Sequence, residues 1–405
     1  MSGEIGVLIV GLKGAVATTL ASAGIASRHN LTPSLTLPSE REPDFASLSL
    51  TPLSSFRFGG WDVVDASFES SLRHHRVLPD HLIDRLTPHL AEIQCFSGIS
   101  LTPVPIHSEQ KTHQQLDISQ ATARDLVDQV SADIRQFKLD RGVSEVVVID
   151  LSSTARSLPE HARYEKLLDL EVALDLSISE VIEQGALSEG TIYAYAAIME
   201  GCACVNFTPS MTFDIPALIT LAEERGVPLC GKDGKTGQTL YKTVLAPMFR
   251  QRGLKVTGWY STNILGNRDG EVLNHPEHRQ TKLESKTGVL KEILGDDTLD
   301  HQVHIHYYRP RGDAKEAWDN IDFEGWFGVP MQMKVNWLGS DSILAAPLAA
   351  DLVRWAIFFK QRGEKGIISA LASYFKTPLG TQQHDFSAQV SLLNQAVAKL
   401  TSEEN

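Results

Sequence analysis

The sequence has few cysteines, no excess of positive charge and no long uncharged apolar run. Four cysteines in 405 residues are too few for a disulfide framework, and Cys202 and Cys204 stand next to no second pair of metal ligands. The net charge of -13 argues against general nucleic-acid binding, because backbone phosphates require clustered lysine and arginine. We therefore expect a cytoplasmic protein with reduced thiols and no nucleic-acid partner.

The most apolar stretch lies near the C-terminus, at residues 343–359. It contains Asp351 and Arg354 and follows Asp341, so it predicts a buried core helix rather than a membrane span. The N-terminus has no basic segment and opens with Glu4, which argues against a signal peptide. A composition of 42% hydrophobic and 21% charged residues is typical of a globular protein, here of two or three domains without a membrane partner.

The N-terminal segment predicts a strand, a glycine turn and a helix. Residues 5–10 are apolar and largely β-branched, Gly11-Leu12-Lys13-Gly14 follows, and residues 15–27 are rich in alanine and threonine. Such a turn brings backbone amides and a helix N-terminus to a pyrophosphate. An ordinary tight turn is the alternative. The second strand of a nucleotide-binding fold cannot be placed between residues 30 and 58.

The rest of the chain continues as a mixture of helices and strands. We predict helices at residues 119–138, 164–184 and 191–200, and strands at 145–151, 203–207 and 227–230. Beyond Pro209 the pattern changes, and strands at residues 254–262, 301–309 and 331–338 indicate a second domain with a mixed sheet. Residues 342–398 are predicted to be mostly helical.

The glycine-rich segment Gly231 to Gln238 contains Gly-Lys-Thr but is not a Walker loop. The first glycine of that motif would fall at Leu229. The segment is therefore either a cationic turn that lines a cleft or a loop with solvated lysines that leads into a helix.

Other polar segments have both structural and functional interpretations. Residues 263–270 contain amides and a carboxylate that can bind sugar hydroxyls, although turns use the same residue types. Lys282 and Lys286 are four apart, which on a helix places both ammonium groups on one face, next to an anion or to solvent. His304 and His306 share a strand face without a third ligand, which favours packing over metal binding.

Together these segments resemble the myo-inositol-1-phosphate synthase family. The resemblance covers nearly the whole chain and is strongest from Ser188 to Leu379. It rests on the blocks Gly59-Gly-Trp-Asp62, Gly190-Thr-Ile-Tyr-Ala194, Glu200-Gly201, Gly237-Gln-Thr239, Asn263–Gly270, Lys282 with Lys286, Gly312-Asp-Ala-Lys315, Asp341-Ser-Ile-Leu-Ala-Ala-Pro347 and Lys376-Thr-Pro-Leu379.

The resemblance implies an α/β fold in which a catalytic and tetramerisation domain is inserted into a Rossmann-type NAD-binding domain. The implied domains are residues 1–210 for NAD binding, 211–344 for catalysis and tetramerisation, and 345–405 as C-terminal helices that return to the NAD-binding domain. The cofactor-binding residues it implies are Gly11, Leu12, Lys13, Gly14, Ala15, Val16, Asp62, Ser153, Thr154 and Asp233.

The implied activity is the conversion of D-glucose 6-phosphate to 1D-myo-inositol 3-phosphate, which feeds inositol and inositol phospholipid synthesis. It proceeds by oxidation at C5, enolisation, aldol closure between C6 and C1, and reduction, with NAD carrying the hydride. Fixed cations suit a reaction that develops negative charge on oxygen. The implied catalytic residues are Lys282, Lys286, Lys315, Lys376, Asp313 and Asp341, and the implied substrate-binding residues are Thr208, Asn263, Leu265, Gly266, Asn267 and Asp269.

Several alternatives stay open at this point. A sugar-phosphate dehydrogenase would accumulate NADH, a diverged cyclase would act on another hexose phosphate, and a non-catalytic NAD-binding oligomer would lack the lysines. A divalent or monovalent cation is a further open requirement, since the sequence shows no ligand cluster. The expected partners are the sugar phosphate and copies of the chain itself in a homotetramer.

Overall fold

The computed structural model describes residues 3–101, 121–155, 158–266, 290–296 and 298–402. The chain divides into two compact units. The first contains Met1–His74, Leu78–Gly234 and Ala346–Ser369, and the second contains His75–Val77, Lys235–Ala345 and Ala370–Asn405.

The first unit is built on a seven-stranded parallel sheet, ordered β11-β6-β5-β4-β1-β2-β3. Its strands are β1 (Ile5–Val10), β2 (Phe56–Asp62), β3 (Gln94–Ser97), β4 (Glu145–Asp150), β5 (Ala203–Asn206), β6 (Pro228–Cys230) and β11 (Gly366–Ile367). The strand order reverses between β1 and β4, the position at which doubly wound sheets bind ligands. The expected Rossmann-type α/β fold is confirmed.

Helices accompany this sheet along the chain. They are α1 (Ala15–Arg28), α2 (Pro38–Arg41), α3 (Phe68–His75), α4 (Asp80–Leu86), α5 (Ala123–Arg141), α6 (Leu167–Leu174), α7 (Ile178–Gln184), α8 (Glu189–Met199) and α9 (Pro216–Arg225). The prediction of one helix over 164–184 is wrong. Ser177 and Glu180 form a capping box that starts α7 as a separate helix.

The second unit contains a four-stranded mixed sheet, ordered β10-β9-β7-β8. The strands are β7 (Lys255–Leu265), β8 (Asp300–Tyr307), β9 (Ala314–Glu324) and β10 (Pro330–Ser340), and helix α10 (Gly237–Gln251) precedes them. Phe249 of α10 packs with Trp259 and Ile321 in a buried apolar cluster. The predicted mixed sheet is confirmed, and β9 is a strand that the sequence pattern did not indicate.

Two long helices lie near the C-terminus, α11 (Asp341–Gln361) and α12 (Phe386–Ser402). Helix α11 is long and apolar enough to cross a membrane, but 78% of its most apolar window is buried within the protein. Two of its charged residues are hydrogen-bonded within the first unit: the Ser39 amide donates to Asp351 at 2.9 Å and Arg354 donates to Glu40 at 2.9 Å. The predicted core helix is confirmed.

The limits of the compact units differ from the limits that the family resemblance implies. The first unit continues past residue 210 to Gly234, because β6 belongs to the parallel sheet. Helix α12 falls in the second unit. The assignment of NAD binding and catalysis to separate domains stays a prediction.

Candidate active site

The predicted glycine turn lies at the carboxyl end of β1. The amides of Gly11 and Leu12 donate to the Trp61 carbonyl at 2.9 and 3.1 Å, and Gly14 closes the turn on Gly11 at 3.0 Å. Gly11 has φ +81°, and a Cβ there would lie 2.9 Å from Ser152 Cα. Gly14 is the N-cap of α1 and supplies no capping side chain. The amides of Ala15 and Val16 therefore remain available to an anion such as a pyrophosphate.

Asp62 ends β2, the position from which Rossmann-type folds present an acid to the adenosine ribose. Its carboxylate accepts the Lys13 amide at 2.7 Å and the Val64 amide at 2.9 Å. Lys13 Nζ donates to the Val64 carbonyl. Asp62 thus fixes the glycine turn, and carboxylate oxygens have further lone pairs for ribose hydroxyls.

A cavity of about 570 Å³ opens beside this turn, on the side of β3. It is lined by Lys13, Ala66, Ser67, Phe68, Glu69, Leu90, Ile93, Cys95, Phe96 and Ser97. The mixture of apolar walls and a few polar groups is typical of a pocket for a small organic ligand. The turn, the acid and the cavity fit the diphosphate, ribose and adenine of NAD.

The remaining predicted cofactor residues follow other strands of the same sheet. Ser153 and Thr154 lie just after β4, next to β1, with Ser153 exposed. Asp233 follows β6, has φ +62° and donates its amide to the Thr208 carbonyl at 3.0 Å. Thr208, predicted to bind substrate, is buried and donates its hydroxyl to Asn206 at 2.9 Å. All four residues therefore belong to the first unit.

In the second unit, a group of charged side chains gathers around Asp341, the first residue of α11. Lys315 Nζ lies 3.4 Å from both carboxylate oxygens of Asp341, and the Thr236 hydroxyl donates to Oδ1 at 3.2 Å. The charge of Lys376 also acts on this carboxyl group. We call Thr236, Lys315, Asp341 and Lys376 the lysine–aspartate cluster.

The lysine–aspartate cluster has a strong effect on the acid at its centre. Burial alone would raise the pKa of Asp341, but the ammonium groups of Lys315 and Lys376 outweigh it and hold the pKa below its usual range. Two ammonium groups and one carboxylate leave one net positive charge. Such a group favours an anionic ligand such as a sugar phosphate or an enolate.

Asp313 holds the segments around the lysine–aspartate cluster together. Its carboxylate accepts the Ser342 hydroxyl at 2.6 Å, the Ser342 amide at 3.2 Å and the Ser340 hydroxyl. The Asp341 amide donates to the Asp313 carbonyl at 3.1 Å. Asp313 therefore connects the start of β9 to the start of α11, the two elements that carry Lys315 and Asp341.

Asn263 belongs to a buried hydrogen-bonded group in the second unit. Asp319 accepts from the Trp259 indole at 2.6 Å, from the Ser261 hydroxyl at 2.6 Å, from Tyr241, and from Gln238 Nε2 at 2.7 Å. Gln238 Oε1 accepts from Asn263 Nδ2 at 2.5 Å. We call Gln238, Tyr241, Trp259, Ser261, Asn263 and Asp319 the Asp319 network.

The other predicted substrate residues lie at the end of β7 or beyond it. Leu265 is buried against Ile305. A Cβ on Gly266 would lie 2.4 Å from the Gly312 amide nitrogen, so glycine permits the close approach of these two segments. Asn267, Asp269, Lys282 and Lys286 lie outside the described residues.

Two buried lysines in the second unit were not predicted as functional. Burial lowers the pKa of Lys235 to about 7, and its Nζ donates to Gln389 of α12. Burial also lowers the pKa of Lys242 to about 8, against the opposing charge of Asp319, whose Oδ1 is 3.9 Å away. By contrast, Lys232 in the first unit pairs with Asp214 at 2.6 Å.

One possible group of metal ligands occurs among the described residues: His29, His89 and Glu92 in the first unit. The two imidazole rings stack with centroids 3.8 Å apart. Arg28 also donates to Glu92, at 2.6 Å, and its positive charge opposes a cation there. His304 and His306, predicted to share a face, do so with ring centroids 6.4 Å apart.

Sequence reasoning missed Thr236, Gln238 and Asp319. Gln238 and Thr236 lie in the glycine-rich segment from Gly231 to Gln238, and its Gly-Lys-Thr sequence is the signal that could have indicated them. Asp319 is a charged residue at an inward-facing position of β9, flanked by the buried Ala317 and Ile321. A buried carboxylate in such a pattern indicates a hydrogen-bonded network.

Comparisons with known proteins identify the family of the chain. An NAD-binding family model described as myo-inositol-1-phosphate synthase matches residues 39–398. Inositol-3-phosphate synthase 1 of Bacteroides thetaiotaomicron is 38% identical, over 100% of this chain and 97% of that protein. Inositol-3-phosphate synthase 1 of Oryza sativa subsp. japonica is 30% identical, over 86% of this chain and 74% of that protein.

Solved structures agree in fold. Inositol-3-phosphate synthase of Caenorhabditis elegans superimposes with a TM-score of 0.83 at 24% identity, covering 98% of this chain and 86% of that chain. A myo-inositol-1-phosphate synthase-related protein of Thermotoga maritima gives 0.77 at 22% identity, covering 98% of each chain. From the family model and the relative similar over its full length, the chain belongs to the myo-inositol-1-phosphate synthase family.

Proposed function

We propose that this chain is an NAD-dependent cyclase that converts D-glucose 6-phosphate to 1D-myo-inositol 3-phosphate. The observation that carries the proposal is the lysine–aspartate cluster, in which residues far apart in sequence meet around one carboxylate. The relative from Bacteroides thetaiotaomicron, similar over its full length and named inositol-3-phosphate synthase 1, supports it.

NAD, when bound, would supply the hydride chemistry at C5 of the open-chain sugar, which is oxidation before ring closure and reduction after it. The glycine turn, from Gly11 to Val16, would hold its diphosphate at the amides of Ala15 and Val16. Asp62 accepts hydrogen bonds from the ribose hydroxyls. Ser153, Thr154 and Asp233 contribute polar contacts from the carboxyl ends of strands in the same parallel sheet.

The lysines manage the negative charge that the reaction develops on oxygen. Lys376 and Lys282 transfer protons and stabilise the oxyanions at C5 and C1, while Lys315 and Lys286 neutralise the phosphate. Asp341 orients Lys315 and Lys376 and keeps both side chains in place before substrate arrives. In the second unit, Asn263, Leu265, Gly266, Asn267 and Asp269 complete the contacts to the sugar.

The chain also self-associates in this proposal, through the second unit, to form a homotetramer. Apolar side chains stand out from that unit: Trp326 is 86% exposed and Phe327 98% exposed, and Trp318 and Leu338 are exposed as well. Exposed aromatic residues of this kind are typical of protein interfaces. Replacing Trp326 and Phe327 by serine should lower the molar mass measured by light scattering, and an unchanged mass would exclude this surface.

The proposed enzyme is cytoplasmic, which its four free thiols support. A divalent or monovalent cation would assist the enolate, and the requirement is testable in the same assay as the activity.

The deciding experiment supplies glucose 6-phosphate and a catalytic amount of NAD to the purified protein, with and without a chelator. We expect inositol phosphate to form without net accumulation of NADH. Stoichiometric NADH would instead indicate a sugar-phosphate dehydrogenase, and absence of turnover would indicate a binding protein. Loss of activity with the chelator, restored by a divalent ion, would establish the metal requirement.

A further inference from the structure

The Asp319 network ends at an acceptor that no described residue satisfies. Asn263 Oδ1 is buried and has no hydrogen-bond partner among the described residues. Asn263, Gln238 and Asp319 are each no more than 3% exposed. A buried carbonyl oxygen without a partner costs free energy, so its presence calls for a ligand that donates a hydrogen bond.

Asp319 determines which atom of Asn263 takes this position. A carboxylate only accepts hydrogen bonds, so Gln238 must present Nε2 to it and is left with Oε1 on its other side. Gln238 Oε1 in turn accepts from Asn263 Nδ2, which leaves Asn263 Oδ1 as the unsatisfied atom. The orientation of both amides follows from the single carboxylate.

The chemistry of the reaction indicates which substrate group this acceptor suits. The oxygens on C1 and C5 gain negative charge during the reaction and need donors, whereas the hydroxyls on C2, C3 and C4 stay neutral and can donate throughout. A fixed acceptor is therefore compatible with a hydroxyl on one of the three carbons that form no new bond.

We propose that Asp319 is a positioning residue for substrate specificity. Through Gln238 it orients the Asn263 amide so that Oδ1 accepts a hydrogen bond from the hydroxyl on C2, C3 or C4 of the sugar phosphate. The inference rests on the proposed function, since it assumes that Asn263 contacts the sugar.

Moving the carboxylate from residue 319 to residue 263 tests how the amides of Gln238 and Asn263 are oriented. In Asp319→Asn, Gln238 can turn over and Asn263 then presents Nδ2, so kcat/KM for glucose 6-phosphate should fall about tenfold or more, mainly through KM. The double variant Asp319→Asn with Asn263→Asp reverses donor and acceptor in the two hydrogen bonds of Gln238 but presents an oxygen again. It should recover to within about threefold of the wild type, whereas Asn263→Asp alone should not.

The matched control is Asp322→Asn, also on β9. Asp322 accepts from Asn320 at 2.7 Å and from Gln332 at 3.1 Å, outside the Asp319 network. It should leave kcat/KM unchanged. If kcat/KM of the double variant falls by the product of the factors measured for the two single variants, Asp319 has only a structural role and the proposal is overturned.

Deoxy substrates test the contact itself. Wild type and Asp319→Asn are compared on the 2-, 3- and 4-deoxy forms of glucose 6-phosphate. For the one analogue that lacks the contacted hydroxyl, kcat/KM of Asp319→Asn should lie within about threefold of the wild-type value. An equal loss of kcat/KM on all three analogues would overturn the proposal. If Asp319→Asn does not fold, Gln238→Met breaks the same link and should give the same pattern.

The two levels of failure are distinguishable. A wild-type protein that makes no inositol phosphate contradicts the proposed function and this inference with it. An active wild type whose variants show additive losses contradicts the inference alone.

Discussion

The two units offer different chemical groups to their proposed ligands. In the first, the glycine turn presents backbone amides, and the Asp62 carboxylate beside it accepts the Lys13 amide of the turn and the Val64 amide. In the second, ligand groups are side chains, supplied by Thr236, Lys315, Asp341 and Lys376. A site made from backbone depends on the path of the chain, whereas a site made from side chains depends on residue identity. The two should therefore respond differently to substitution.

The largest expected effect is the loss of one cation from the lysine–aspartate cluster. Lys315→Ala should lower kcat/KM by about 100- to 1000-fold, because the substrate phosphate loses a fixed ammonium partner and Asp341 loses the ion pair that positions it. The dissociation constant for NAD, measured by fluorescence titration, should not change. Lys334→Ala, which removes an exposed lysine from β10, is the control and should retain full activity. Weakened NAD binding in Lys315→Ala would contradict the division between the units.

The next effect is a change of backbone in the glycine turn. Gly11→Ala places a Cβ 2.9 Å from Ser152 Cα at φ +81°, so the turn must shift. We expect NAD affinity to fall about tenfold or more, since the amides no longer converge. Gly142→Ala is the matched control: Gly142 has φ +62° and open space around its Cβ position. It should lower stability by about 1–2 kcal/mol without affecting NAD.

A smaller effect concerns pH and the buried Lys235. Its pKa is about 7 in the folded protein, while the unfolded chain holds the same proton up to a pKa of 10.5. At a pH between these two pKa values, unfolding takes up a proton. The contribution of Lys235 to the free energy of unfolding therefore rises as pH increases from 7 to 10. Lys235→Met should reduce that rise by about 2 °C in Tm, measured by thermal denaturation across this interval. An unchanged slope would mean that Lys235 is charged in the folded state. Lys242, with a pKa of about 8, contributes the same sign and remains in the variant.

The smallest expected effect is the removal of a side chain near the backbone amides. Ser153 is exposed and follows β4, at the carboxyl end of the parallel strands, where the glycine turn also lies. Because the amides do most of the binding, Ser153→Ala should change the dissociation constant for NAD by less than about threefold. A larger loss of NAD affinity, measured by the same titration, would show that side chains of the first unit also contribute to binding.

The sequence predicted the parts of the fold that depend on local pattern. Strand β1 is a continuous apolar run, and the glycine turn follows it directly, so both could be located. Strand β2 was not located, since Arg57, Gly59 and Gly60 interrupt its apolar pattern. Strand β9 was missed because Glu316, Asp319 and Asp322 are charged, and only the folded sheet shows that Asp319 is buried.

The candidate site residues likewise divide into those that the sequence indicated and those that only tertiary structure brings together. The family resemblance named Lys315, Lys376 and Asp341, but spacing alone gives no reason for them to meet. Gln238 and Asp319 are separated by 81 residues, and their hydrogen bond exists only after β9 pairs with β7. Such contacts are products of tertiary structure, and no local pattern indicates them.

The distribution of thiols makes this enzyme convenient to label. Cys95 is exposed and lines the cavity beside the glycine turn, whereas Cys202, Cys204 and Cys230 are buried. Desolvation raises the pKa of all four thiols, so exposure to solvent is what separates Cys95 from the other three. A maleimide fluorophore should therefore attach at one position without any prior mutagenesis. Its emission would report in real time whether a ligand occupies this cavity, separately from catalytic turnover.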